Sequence, residues 1–372
     1  MARRLPLPAA LRYRGRVRIA FILLAHEAAG RVLRLARLLL AADPDCAVVI
    51  HYDLHSPKAE FARLEAAAAD EPRLRLVRDR VACGWGQFGL VDGPVRAMRL
   101  IREQGIACDR EMLLSGSCLP VRPLAQLRRF LAERPEAEFI QCRDESWILG
   151  GLRRDRWLYH HVWNEQRHRW LFRRSHELQR ALGLKRRLPE GLAPRFGSQW
   201  WCLTRETCEA ILDHIARRPA DYAFFRTVWV PDEMCLQTLV GALVPAERIA
   251  DCTLTFYQFS NYGKPLVFYD DHADYLTSLD YFFARKIAPE AEGLWRLLAA
   301  GAAAADDGAP IERIGAPDHR YAAAMRARGL LNRAGRLFAE DEAAAQGPGW
   351  LGPVPPPALA PPATAGRREG AG

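Results

Sequence analysis

Apolar positions in the first 142 residues fall into two textures. Val17–Ala25, Ala47–Tyr52, Leu74–Val77, Glu111–Ser115 and Glu138–Cys142 are short runs that read as strands. Strands covered on both faces need no polar alternation. Ala29–Ala41, Lys58–Ala69, Leu90–Glu103 and Leu124–Glu133 instead repeat apolar residues every three or four positions, as helices with one buried face do. This βαβα succession predicts an α/β, doubly wound domain with ligands beyond the carboxyl ends of its strands.

After Cys142 the rhythm breaks. Residues 147–188 mix Trp147, Trp157, Trp163, Trp170 and Phe172 with Arg173, Arg174, Lys185, Arg186 and Arg187. The apolar spacing over Trp170–Leu184 is helical, so this segment reads as a helical aromatic-basic insertion. A strand is expected to return at Ser198–Leu203, followed by a helix over Arg205–Ile215 with Thr204 as its N-cap. Pro231-Asp232-Glu233 opens a short amphipathic helix carrying Met234, Leu236 and Leu239, and Cys252–Phe259 is a late strand. Ala299–Ala309 reads as a loose surface loop. The pattern divides the chain into a basic segment 1–15, one domain over 16–338 that includes the 147–188 insertion, and a tail over 339–372. The tail is rich in Ala, Pro and Gly without apolar periodicity, and is expected to be disordered.

Composition adds limits. The chain has 372 residues, 49% of them apolar, enough for one large core. No run reaches the roughly 18 apolar residues of a membrane span. Ile19–Ala25 ends at His26-Glu27 with no small-residue cleavage site, so neither a signal peptide nor a transmembrane helix is expected, and the location expected is cytoplasmic. The nine cysteines show no C-x-x-C pair and no zinc spacing, and read as buried free thiols. A net charge of +9 predicts attraction to polyanions: nucleic acid, anionic lipid or diphosphates.

Several patches carry candidate chemistry. Gly84-Trp85-Gly86-Gln87-Phe88-Gly89 has G-x-G-x-x-G spacing, but it is not in the first βα turn, and Trp85 stands where pyrophosphate would need a small residue. It reads better as a corner shaping a pocket wall. Asp43-Pro44-Asp45 is a literal D-x-D between a helix end and a strand start, where Asp and Pro make a turn. The best strand end offers Ser115-Gly116-Ser117-Cys118 with no carboxylate, so no metal site is expected, and a leaving diphosphate would need side-chain cations. Arg285-Lys286 is such a pair, or a solvated one. Asp53 and His26 end strands, as ligand-binding or merely structural residues. Glu233 at a helix start and Trp200-Trp201 beside Gly197-Ser198 together suit a sugar: a carboxylate to take a hydroxyl proton and flat rings for a pyranose face.

In order, Leu24-Ala25-His26, Ile50-His51-Tyr52-Asp53, Trp85-Gly86 with Leu90-Val91, Leu113-Leu114-Ser115-Gly116, Gly197-Ser198-Gln199-Trp200-Trp201, Pro231-Asp232-Glu233 and Phe283-Ala284-Arg285-Lys286 resemble glycosyltransferase family 14. That family holds the core-2/I-branching β-1,6-N-acetylglucosaminyltransferases and the peptide O-xylosyltransferases. The resemblance implies a GT-A-like nucleotide-sugar-binding domain with a mixed central sheet, no D-x-D metal and an inverting mechanism. It implies Glu233 as general base and His26, Asp53, Trp85, Gly86, Ser115, Arg285 and Lys286 around the donor. Ser198, Gln199, Trp200 and Trp201 fall near the acceptor, with 147–188 as an acceptor flap. Cys118 stands where the family has an acid, and the second diphosphate cation has only Lys264 as a candidate.

The function expected is transfer of N-acetylglucosamine or xylose from a UDP-sugar to a hydroxyl of a glycan, lipid-linked glycan or protein. No cofactor, metal or nucleic-acid partner is expected, and the positive charge is compatible with peripheral contact on an anionic membrane. Two other readings stay open: an NAD- or FAD-dependent oxidoreductase using Gly84–Gly89, and a basic module binding RNA or membrane through residues 147–188.

Overall fold

The structure is a computed structural model that describes residues 17–148, 152–258 and 265–309, with Ile311 and Ile314. The basic segment 1–15, Lys264 and the tail from 339 onward lie outside the described residues.

Five strands form the main sheet: β1 (Ile19–Ala25), β2 (Ala47–Tyr52), β3 (Leu74–Leu76), β4 (Arg110–Ser115) and, after β5 (Leu119–Pro120), β6 (Cys202–Thr204). Their order is β3-β2-β1-β4-β6, with the first four parallel and β6 antiparallel to β4. β5, β7 (Thr255–Phe256) and β8 (Phe283–Ala284) make a smaller sheet in the order β5-β8-β7.

β1 shows why a run without polar residues marks a central strand. All seven residues are buried. Ile19, Phe21, Leu23 and Ala25 join one core, with helices Ala29–Ala42, Leu124–Ala132 and Glu292–Ala302 and the small sheet. Ala20, Ile22 and Leu24 join the other, with helices Gly89–Glu103, Arg205–Arg217 and Cys235–Leu243. Successive side chains point to opposite faces, so one strand feeds two layers.

Chain direction then creates the cleft. From β1 the path moves outward through β2 and β3. Helix Gly89–Glu103 carries it back to β4, on the other side of β1. This reversal is the switch point beyond which open α/β sheets bind ligands.

The early elements match the apolar pattern closely, and Thr204 caps its helix by accepting from the Thr207 N–H at 3.1 Å. The later ones differ. Glu138–Cys142 makes only isolated bridges, Glu138 to Ile249 and Phe139 to Cys202. Its Glu138 carboxylate is drawn into a buried network, accepting from Thr204, Thr207 and Arg248. Ser198–Leu203 shortens to β6 because side chains of Gln141 and Gln237 take the backbone groups of residues 197 and 198. Cys252–Phe259 shortens to β7, with Phe259 outside the described residues. The first part of Ala299–Ala309 is helical, the end of Glu292–Ala302. The insertion is helical over Asp155–Leu158 and Arg169–Ala181.

Asp43-Pro44-Asp45 is a turn, as its place in the pattern suggested. Arg128 pairs with Asp43, while Arg73 donates to the carbonyls of Leu40, Asp43 and Pro44. All nine cysteines are free and none is exposed. Among the described residues no helix is long and apolar enough to cross a membrane.

Candidate active site

At the switch point, His26 and Glu27 leave β1 beside Ser115 and Gly116 leaving β4. A Cβ at position 116 would meet the Glu27 carboxylate, so a side chain there would displace Glu27 from its present place. Glu27 Oε2 accepts the His26 N–H at 3.0 Å, and the His26 ring is largely exposed. The charge of Glu27 acts on Arg31, Arg285 and Lys286. Its role was missed in the sequence, where it looks like the polar residue ending an apolar run.

β8 brings Arg285 and Lys286 to this spot. The Arg285 guanidinium lies 4.3 Å from the ring centre of Trp200, and its Nε is buried without a partner. Burial lowers the pKa of Lys286, and the neighbouring Arg285 charge adds to the fall. The thiol of Cys118 is buried near Arg285. Ser115 Oγ is 3.1 Å from Ser117 Oγ and 3.3 Å from Cys118 Sγ.

Asp53 organises the next wall. Its Oδ1 accepts from His55 N–H at 2.6 Å and its Oδ2 from Cys83 N–H at 2.7 Å, which tie the end of β2 to the loop before Trp85. His51 Nε2 accepts the Val81 N–H at 3.0 Å, and burial pushes its pKa down to about 4, so the ring is neutral. The glycine motif that follows is a compact corner. Gly86 has φ +66°, and a Cβ at Gly89 would collide with the Ala82 carbonyl. Trp85 packs edge-on against Trp229 at 5.9 Å between ring centres, so the corner meets protein on that side.

Two patches distant in sequence are clamped together here. Gln237 Nε2 donates to the carbonyls of Ser198 (2.9 Å), Asp232 (3.1 Å) and Gly197 (3.3 Å). The Gly197 N–H donates to the Glu233 carbonyl at 3.1 Å. Glu233 follows Val230, whose φ of 54° is left-handed, a conformation a β-branched residue adopts only under constraint. The Val230 N–H is held by the Gly86 carbonyl at 3.1 Å.

Arg156, from the insertion, reaches Glu233 Oε2 at 3.0 Å. Oε1 carries no hydrogen bond among the described residues. The adjacent Asp232 is also buried at its Oδ1, without a partner. Burial pushes its pKa up, and the Glu233 charge adds to the rise. The charges of both Arg156 and Arg285 act against that rise.

The aromatic pair divides. Trp201 is 2% exposed and belongs to the core, with its carbonyl accepting from Leu113 N–H, so it offers no ring to an acceptor. Trp200 is buried beneath Arg285 and orients that cation. Sequence reasoning assigned both to the acceptor, but both are buried in one core cluster, and only Trp200 meets a charged side chain of the site, Arg285. Ser198 is buried, its N–H donating to Gln141 Oε1 at 3.0 Å. Gln199 keeps a buried Nε2 without a protein partner.

A cavity of about 240 Å³ opens between the glycine corner and the insertion, lined by Trp85, Asn164, Glu165, Arg226 and Trp229 among others. Asn164 donates to the Trp85 carbonyl at 3.2 Å, and Trp229 Nε1 donates to Glu165 at 3.1 Å. Arg156 lies 5.4 Å from the Trp229 ring centre, so one side chain joins this cavity to Glu233. Among the described residues, no three His, Cys, Asp or Glu side chains converge as metal ligands.

A family profile described as Core-2/I-Branching enzyme matches residues 19–276. Human xylosyltransferase 2 is 27% identical over 258 residues, which is 67% of this chain and 27% of that protein. Dog xylosyltransferase 1 is 29% identical over 207 residues, 52% of this chain and 19% of that protein. The chain therefore spans about a quarter or less of the length of these curated relatives. The galactosyltransferase LgtC, solved with donor and acceptor sugar analogues, aligns over 78% of this chain and 98% of its own at 14% identity. Its TM-score of 0.33 is too low to bear on the fold, which rests on the strand order described above. The profile match spans more than half the chain and all the site elements up to helix Cys235–Leu243: the chain belongs to the Core-2/I-branching enzyme family, glycosyltransferase family 14.

Proposed function

We propose that this protein is an inverting glycosyltransferase that moves N-acetylglucosamine or xylose from a UDP-sugar to an acceptor hydroxyl. The observation that carries the reading is the placement of Glu233. Arg156 holds one carboxylate oxygen and leaves the other unbonded, while the neighbouring Asp232 feels the charge of Arg285.

In this reading Glu233 Oε1 takes the proton of the acceptor hydroxyl. The freed oxygen pair attacks the anomeric carbon from the face opposite the nucleotide. The bond from that carbon to the phosphate oxygen breaks, and UDP leaves with its electrons. Arg285, braced on Trp200, and Lys286 meet the charge that grows on the diphosphate. Fixed cations in a partly dry site need little reorganisation as that charge develops. Uridine lies along His26, Asp53 and Ser115, while the Trp85-Gly86 corner, expected at the donor, is assigned here to the acceptor side because Trp85 packs on Trp229 at the cavity. The acceptor enters from the side of the Trp85–Trp229 cavity, whose indoles and polar groups suit a sugar ring.

The names of the relatives favour xylose, while the motif resemblance to the branching enzymes keeps N-acetylglucosamine as the second donor. Neither the oxidoreductase reading nor a purely binding module gives a role to the Glu233–Arg156 and Arg285–Trp200 arrangement. The test is UDP release across UDP-sugars with glycan and protein acceptors, in EDTA. Turnover with one UDP-sugar in EDTA is expected. No turnover with any UDP-sugar, or turnover only on adding manganese, refutes the mechanism.

A further inference from the structure

We infer that the outer face of the insertion, from Val162 to Arg187, is a docking surface for anionic lipid membrane. The inference is independent of the reaction assigned to the cleft.

Helix Arg169–Ala181 is fixed in orientation by its inner side. Phe172 and His176 are buried, with His161 stacked on Phe172 at 5.1 Å and His176 bonded to Asp155 at 3.1 Å. The opposite side therefore faces outward. There Trp170 is 67% exposed and Leu178 60%. Leu182 and Leu184, just beyond the helix, and Val162 and Trp163, just before it, are exposed as well. Six of the nine large hydrophobic residues exposed on the described surface lie in this one segment. Scattered exposed apolar residues need no explanation, but a cluster of most of them does.

Charge identifies the occupant. Between Val162 and Arg187 stand eight Arg and Lys against two Glu. Arg174 and Arg180 are paired with Glu177 and Asp155. Arg167, Arg173, Lys185 and Arg187 are exposed and form no ion pair among the described residues. A helix with outward Trp and Leu flanked by long cationic side chains sinks its apolar side to the headgroup boundary while the cations meet lipid phosphates. RNA would use the cations and the indoles, but it gives the aliphatic Leu178, Leu182 and Leu184 nothing to bury against. Trp163 and Glu165 continue into the cavity, so docking would hold the cavity mouth at the membrane, where a lipid-linked acceptor would arrive.

The experiment is cosedimentation of the full chain with phosphatidylcholine vesicles, with and without phosphatidylglycerol. Three proteins are compared: wild type, Trp170→Ser with Leu178→Ser, and Arg173→Glu with Lys185→Glu. Wild type is expected to bind only the anionic vesicles, less at high salt. Each double variant is expected to lose about tenfold or more in affinity, from lost apolar insertion or lost headgroup attraction. Melting curves should match wild type, since the changed side chains are exposed. Three results overturn the proposal: no binding of anionic vesicles by wild type, unaltered binding by both variants, or tighter binding of poly(U) than of vesicles. Release of UDP on a water-soluble acceptor, measured alongside, should be the same in all three proteins. Its absence would refute the catalytic reading without touching this one.

Discussion

Replacing Glu233 by Gln separates the chemical role of this carboxylate from its structural one. Glu233 lies 3.0 Å from Arg156, whose side chain is 5% exposed while that of Glu233 is 27% exposed. Gln keeps an oxygen for Arg156 but cannot take a proton. Loss of a general base costs about 10²–10⁴ in rate, or roughly 2.7–5.5 kcal/mol of barrier. The fold should notice far less, because the guanidinium keeps an acceptor. Glu233→Ala is the contrast. It strands a buried cation, for which losses run to about 3–5 kcal/mol, with the low end expected here because Glu233 is partly open to water. The assay is steady-state UDP release together with thermal melts. Glu233→Gln should lose kcat by that factor, keep its KM for the donor, and melt within a few degrees of wild type. Glu233→Ala should lose activity to a similar degree and melt measurably lower. A Gln variant with wild-type kcat would refute the assignment. Loss in Asp232→Asn but not in Glu233→Gln would move the base by one residue.

Lys286→Met should raise the KM for the UDP-sugar and lower kcat by about tenfold or more, since the missing cation faces a charge that grows in the transition state. Its effect should be weaker on a donor analogue whose leaving group carries one phosphate. Glu111 predicts a pH effect on stability. It is buried on β4 with Oε2 unpaired, and burial pushes its pKa up to about 8. The folded state thus holds this proton more tightly than the unfolded chain does. Stability from this group is present below the ordinary carboxyl pKa and falls as pH rises toward 8, by up to about 1.4 kcal/mol per pH unit. Glu111→Gln should melt higher than wild type at pH 8, with the difference shrinking toward pH 4, and an equal difference at both pH values would refute the assignment.

The parallel half of the fold was legible because each early strand and helix declares itself locally. β1 and β2 are buried over their whole lengths, and the helix between them carries a plain three-to-four-residue period. The family motifs were legible for a related reason: Pro231-Asp232-Glu233 and Arg285-Lys286 are contiguous and chemically distinctive. The later strands were not, because side chains took over backbone pairing. Gln237 and Gln141 hold residues 197 and 198, and Glu138 ties its segment to Thr204 and Thr207. Such bonds leave no period.

By itself the sequence determined the α/β architecture and the family, since these depend on periodicity and on short unbroken motifs, and it singled out Glu233, Arg285 and Lys286 as the candidates for the proposed chemistry. Only the tertiary structure decided which groups meet. It paired Arg156 with Glu233 across 77 positions, turned Trp200 into a support for Arg285, sent Trp201 into the core and brought Glu27 against Gly116. The physical reason is that burial and side-chain contact belong to the packed chain. Two adjacent tryptophans are equivalent in the sequence; packing buries both and sets only Trp200 against Arg285.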